Sequence, residues 1–235
     1  MIPRFVGSLL IGLVIATYVT VPASATTLNY LYLDAGPYYG VRSNIGNPSS
    51  GEANVSSGDF FVTSVFALTS ESSANQALQQ GVTYEWNVAQ NSCNLGSQGN
   101  GAKMYYFTET YAGGTYTCYN GGIANSATSH KQSLTYNTTS QKWSAYLDGV
   151  YTGIQMFFYD CYGLACSIRA FGENHAAKSG LWKTKFAGSG NTPWQYYNSS
   201  IWVTISGYST HPGGSDWSSL SGPFPTGIWS FTYSH

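Results

Sequence analysis

From Leu28 to Tyr233 the chain is built of short runs rich in Tyr, Phe, Trp, Val and Thr, separated by clusters of Gly, Asn and Ser. Side chains in these runs alternate apolar and polar, the period of a strand with one face on a core, and helix signals are nearly absent. The pattern predicts strands at Leu28–Asp34, Asp59–Leu68, Leu78–Val88, Lys103–Thr110, Thr115–Tyr119, Gln132–Tyr136, Lys142–Leu147, Val150–Phe158, Ser167–Glu173, Leu181–Phe186, Ser200–Ile205 and Ile228–Tyr233. Asp148-Gly149, between two of these, is a two-residue hairpin turn of the kind that needs positive φ. Helical leanings are confined to Ser70–Gln80, where Glu71, Ala74 and Ala77 allow a turn or two. The expected fold is an all-β antiparallel sandwich, jelly-roll or concanavalin-like, in one domain over residues 26–235.

The start of the chain reads differently. Arg4 is its only charge, Phe5 to Val21 is apolar, and Ala23-Ser24-Ala25 is the small-x-small pattern a signal peptidase cuts. Residues 1–25 are therefore expected to be a cleaved signal peptide and the product a secreted, extracellular protein. Gly7, Ser8, Gly12 and Thr17 interrupt the apolar stretch, which falls short of the roughly 20 residues of a spanning helix. No membrane association is expected after cleavage. Residues 26–58 offer themselves as a short prosequence or N-terminal extension.

Charged residues make up 8% of the chain, against about 25% in an ordinary domain. Loss of Arg4 with the signal takes the formal charge from −1 to −2, and no basic run remains to grip phosphates. Nucleic acid is thereby excluded as a partner, and a monomer is expected. A surface so poor in ionisable groups changes its charge little as pH falls, which predicts acid tolerance. Cys93, Cys118, Cys161 and Cys166 form an even set in an exported chain, so disulfides are expected. Sequence allows three pairings; Cys93–Cys118 with Cys161–Cys166 is preferred, because each pair flanks a turn-rich segment. His130, His175, His211 and His235 are scattered, and no metal or other cofactor is expected.

Acids are few enough to weigh singly. Asp148 is explained by its turn, and Glu52, Asp59, Glu71 and Asp216 fall in or beside loops. Glu85, Glu109 and Glu173 lie inside predicted strands. On Leu78–Val88 the alternation puts Leu78, Val82, Tyr84, Trp86 and Val88 on one face and Gln79, Gly81, Thr83, Glu85 and Asn87 on the other. That second face is polar, and Gly81 reads as a gap where a ligand backbone could approach. Arg169, Phe171 and Glu173 share a face of their strand, as do Tyr105, Phe107 and Glu109 of theirs. Two or three carboxylates on an amide-lined sheet would make an acid–base site, with Thr83, Asn87, Arg169 and Glu109 as substrate-binding candidates. An occasional glutamate on a solvated sheet face is equally ordinary.

Leu78-Gln79-Gln80-Gly81-Val82, following the apolar strand Phe60–Leu68 and a polar loop, resembles the strand that carries the catalytic glutamine of the eqolisin family of glutamic peptidases. The resemblance implies a sandwich of two antiparallel sheets working with a Gln/Glu dyad, Gln79 standing at the glutamine. Phe171-Gly172-Glu173-Asn174 is similar to the Gly-Glu pair that carries the second acid of the related neprosin-like peptidases. The tryptophan-rich strand that precedes the eqolisin glutamine has no strong match here, and the first neprosin-type glutamate would fall nearer Thr83 than Glu85. Gln79 and Glu85 share a face but lie six residues apart, roughly 20 Å, too far to act at one bond. Glu173 would therefore partner either Gln79 or Glu85, with Gln79 preferred.

The implied activity is acid endoproteolysis of polypeptide, with Glu173 passing a proton from water to the leaving amine and Gln79 holding the water and oxyanion. Two other readings stand beside it. One is a carbohydrate-binding or adhesive module using the Tyr-, Trp- and Asn-rich surface, since Lys142–Gly149 resembles the hairpin of lectin-like sandwiches. The other is a glycoside hydrolase acting on polysaccharide, although carboxylates two to four residues apart on one strand are missing.

Overall fold

The computed structural model describes residues 29–55, 60–68, 76–86, 102–112, 115–124, 128–158, 166–174, 180–186, 192–212, 222, 230 and 232–234. The signal segment, Asn87, Cys93 and Cys161 lie outside them. Described residues form strands β1 (Asn29–Tyr38), β2 (Gly40–Gly46), β3 (Ala53–Asn54), β4 (Phe60–Leu68), β5 (Gln76–Trp86), β6 (Ala102–Ala112), β7 (Thr115–Ile123) and β8 (Ser129–Asn137). They continue with β9 (Lys142–Leu147), β10 (Val150–Met156), β11 (Cys166–Asn174), β12 (Leu181–Lys183), β13 (Gln195–Tyr197), β14 (Trp202–Thr204), β15 (Ser209–Pro212) and β16 (Thr232–Ser234). No helix occurs among the described residues.

All pairings between these strands are antiparallel, in three sheets. A seven-stranded sheet runs β15-β1-β11-β4-β5-β6-β7, a six-stranded sheet β10-β9-β8-β2-β13-β14, and a small sheet β16-β12-β3. The two large sheets bury one continuous core. Leu33, Phe61, Val65, Leu78, Val82 and Ile168 come from the first, and Val41, Ile45, Leu134 and Trp143 from the second. Each such side chain, wholly withdrawn from water, contributes about 1.5–3 kcal/mol.

Trp182 on β12 anchors the small sheet to this core. Its ring stacks on Phe61 and Tyr84, each at 5.8 Å between centroids. Glu52 ties the same region together from the loop before β3, accepting from the backbone N–H and hydroxyl of Ser49 and from the Lys185 ammonium. Burial would raise its pKa, but those hydrogen bonds and the Lys185 charge outweigh that and hold it at about 2.

Local sequence explains most of the boundaries. Asp148 and Gly149 turn β9 into β10 with φ of 52° and 83°, as the Asp-Gly pair predicts. The Asp148 carboxylate accepts from the Lys131 N–H at 2.8 Å, fastening the turn to β8. Two expectations change. Gln76–Gln80, read as leaning toward helix, belongs to β5, where pairing with β4 and β6 on both sides overrides a weak local preference. Gly40–Gly46, not read as a strand, is a central one between β8 and β13, with Ser43 and Asn44 buried. The stretch that offered itself as a prosequence carries β1 and β2, one in each large sheet.

Candidate active site

The seven-stranded sheet has an inner face on the core and an outer face. Its register puts Gln79, Gly81, Thr83, Arg169, Phe171, Glu173, Phe107 and Glu109 all on the outer one, in three successive rows. Arg169, Phe66, Gln79 and Glu109 form one row across β11, β4, β5 and β6. Phe171, Ser64, Gly81 and Phe107 form the next, and Glu173, Val62, Thr83 and Tyr105 the third. Glu85 lies one row further on, opposite Phe60 and Lys103.

Rows convert into separations. Glu173 is two strands and four positions from Gln79, roughly 16 Å between Cα atoms. It is two strands and two positions from Glu85, roughly 12 Å. Glu109 is directly opposite Gln79, about 5 Å away. The midpoint of the diagonal from Gln79 to Glu173 is Ser64.

Gln79 reaches along that diagonal. Its Nε2 donates to Ser64 Oγ at 2.8 Å, with Gln79 5% exposed and Ser64 fully buried. The amide thus turns toward β4 and β11, away from the strand that carries Glu109. Gly81 makes this reach possible. A Cβ there would stand 2.0 Å from Thr63 O and 2.7 Å from Ser64 Cα, so the space that reads in the sequence as a ligand's approach is filled by β4 itself. Neither is the outer face an open polar one: Thr83, Val62, Tyr105 and Phe107 are all buried on it. Glu109, Arg169 and Glu173 are half-buried.

The Cα separation of roughly 16 Å leaves room for a bound group between Gln79 and Glu173. One N–H of the Gln79 amide is given to Ser64, and the amide has a second N–H. Apolar surroundings strengthen the bond to Ser64. Phe66 and Phe171, tilted together at 5.6 Å, flank the diagonal on the β11 side. The residue on this diagonal that the sequence concealed is Ser64. Period-two reading of Phe60–Leu68 sets Ser64 among Phe60, Val62 and Phe66, and one hydroxyl on that otherwise apolar stripe is the signal that marks it.

Cys118 on β7 and Cys166 on β11 are disulfide-bonded, with partners outside the described residues. They are not bonded to each other. Strands β4, β5 and β6 stand between them, on the order of 19 Å, against a limit near 7 Å for Cα atoms of a bridged pair. Among the described residues no three His, Cys, Asp or Glu side chains gather as metal ligands, and no helix is long and apolar enough to cross a membrane.

No protein-family model matches the sequence, and no curated protein sequence matches it. Solved structures do. Scytalido-glutamic peptidase with a transition state analog inhibitor is similar over 89% of this chain and 98% of its own, with a TM-score of 0.53 at 14% identity. The same peptidase with a peptide based transition state analog gives 0.50 at 15% identity over the same shares. SCP-B of the eqolisin family, in complex with the tripeptide Ala-Ile-His, gives 0.45 at 14% identity, also over 89% of this chain and 98% of its own. At such identities the likeness is one of fold: this chain has the sandwich on which scytalido-glutamic peptidase is built.

Proposed function

We propose that this chain is a secreted, acid-tolerant endopeptidase of the glutamic type, with Glu173 as general base and then general acid and Gln79 as the oxyanion donor. The observation that carries the reading is the diagonal Gln79, Ser64, Glu173 on one face of the seven-stranded sheet. Glu173 takes a proton from a water held between the two side chains; the hydroxide attacks the peptide carbonyl. The free N–H of Gln79 stabilises the oxyanion, and Glu173 returns the proton to the leaving amine. Glu85, two positions beyond Thr83, is the alternative partner of Glu173. Thr83, Arg169 and Glu109 are the substrate-binding candidates on the same face, Glu109 too close to Gln79 for a water and a carbonyl to fit between them, and Asn87 lies outside the described residues. That scytalido-glutamic peptidase, which shares this fold, is held with transition state analogs, one of them peptide based, supports a polypeptide substrate.

The test is an assay of the mature protein on denatured protein at pH 2–5, with chromogenic glycosides as the control. Glu173→Gln and Gln79→Ala abolish cleavage, Glu85→Gln does not, and Glu109→Gln changes KM more than kcat. Cleavage unaltered in Glu173→Gln would end the assignment, and release from the glycosides alone would move the chain to the glycoside hydrolases.

A further inference from the structure

We infer that Ser64 is a positioning residue that aims the Gln79 amide at the scissile bond, an inference resting on the hydrolase reading above. A glutamine amide has two ends of similar shape, and an oxyanion donor is useful only when its N–H end faces the reacting carbonyl. Nothing in a bare strand fixes that choice. Ser64 Oγ holds the amide in place: it accepts from Nε2 at 2.8 Å, a contact that draws the nitrogen toward β4 and the diagonal that leads to Glu173.

Three further features make the contact a built one. Ser64 is wholly buried and Gln79 5% exposed, so little water competes for either. The two residues are diagonal neighbours, Ser64 opposite Gly81 and Gln79 two positions away, and any side chain at Gly81 would block the line between them. The serine oxygen, having accepted from Gln79, keeps its own proton to donate, and Ser64 is the midpoint of the diagonal from Gln79 to Glu173. In the mechanism proposed above Ser64 would thus hold the amide from the side without touching the carbonyl that is attacked.

Ser64→Ala, Ser64→Thr and wild type are compared by kcat and KM on a peptide substrate, by thermal unfolding, and by the NMR signals of the Gln79 side-chain amide. Ser64→Ala is expected to lower kcat on the order of 100-fold, the scale of a misplaced catalytic group, with KM within about twofold and the Gln79 amide signals shifted. Ser64→Thr, which keeps the hydroxyl, restores most of kcat. A merely structural serine would lower the unfolding temperature of Ser64→Ala without this split of kcat from KM. Cleavage by wild type matched in kcat by Ser64→Ala overturns the role alone. Absence of cleavage by wild type overturns the hydrolase reading and the role with it.

Discussion

Trp182 donates its indole N–H to the hydroxyl of Thr63 at 2.8 Å, and both side chains are completely buried. The bond joins the small sheet to the inner face of the seven-stranded one, beside the stack of Trp182 on Phe61. Thr63→Val keeps the shape and removes the acceptor, leaving a buried N–H unpaired. The expected loss is about 1–3 kcal/mol by urea unfolding, with Thr63→Ser nearer wild type. Equal stability of Thr63→Val and wild type would show that the indole N–H is satisfied elsewhere.

Gly81→Ala places a methyl group against the backbone of β4, at 2.0 Å from a carbonyl oxygen that no rotamer change can move. Overpacking of this kind costs about 1–3 kcal/mol, and the variant belongs at the upper end or beyond. Separation of β4 from β5 also lengthens the bond between Gln79 and Ser64. Chemical denaturation and activity should therefore fall together, and a variant of native stability would mean that the strands are further apart than described.

Glu52 predicts how stability depends on acid. Its folded pKa of about 2 lies below the ordinary 4.5, so the carboxylate binds its proton more readily in the unfolded chain. The stabilisation is fully present above about pH 4.5 and disappears as pH falls toward 2, its size reduced by the solvent that screens this partly exposed carboxylate. Glu52→Gln should lose most of that stabilisation at pH 6 and match wild type near pH 2. A gap between the two proteins that does not narrow across that range contradicts the assignment.

Disulfide mapping by mass spectrometry of unreduced peptides should find Cys93 joined to Cys118 and Cys161 to Cys166. The positions of β7 and β11 remove the pairing of Cys118 with Cys166. Recovery of Cys93 with Cys166 would leave the sandwich intact and reverse the preference for local closure.

Strand alternation made the outer face of β5 legible. Gln79, Gly81, Thr83 and Glu85 share it as their spacing requires, and Asp148-Gly149 turns where its chemistry says. Spacing within one strand could not place Glu173 relative to Gln79, because that relation depends on the register of β11 on β4 and of β4 on β5. Ser64 was hidden for the same reason: its meaning comes from lying between two other strands. Gly40–Gly46 escaped notice because a central strand buried on both faces shows no alternation, and its Ser43 and Asn44 resemble loop residues. Gly81 was visible as a special position but not for its reason, since what approaches it belongs to the chain itself.

β1 lies between β11 and β15, with Leu31 opposite both Gly172 and Pro212. Its neighbours in the sheet are thus chain that leaves the ribosome long after it does. β1 has no partner in this sheet until β11 and β15 have been made. Pairing across such sequence separation is slow, because loop entropy is lost before contacts repay it. With this topology β4 to β7 pair with their neighbours in sequence, and β1 joins the sheet only after β11 and β15.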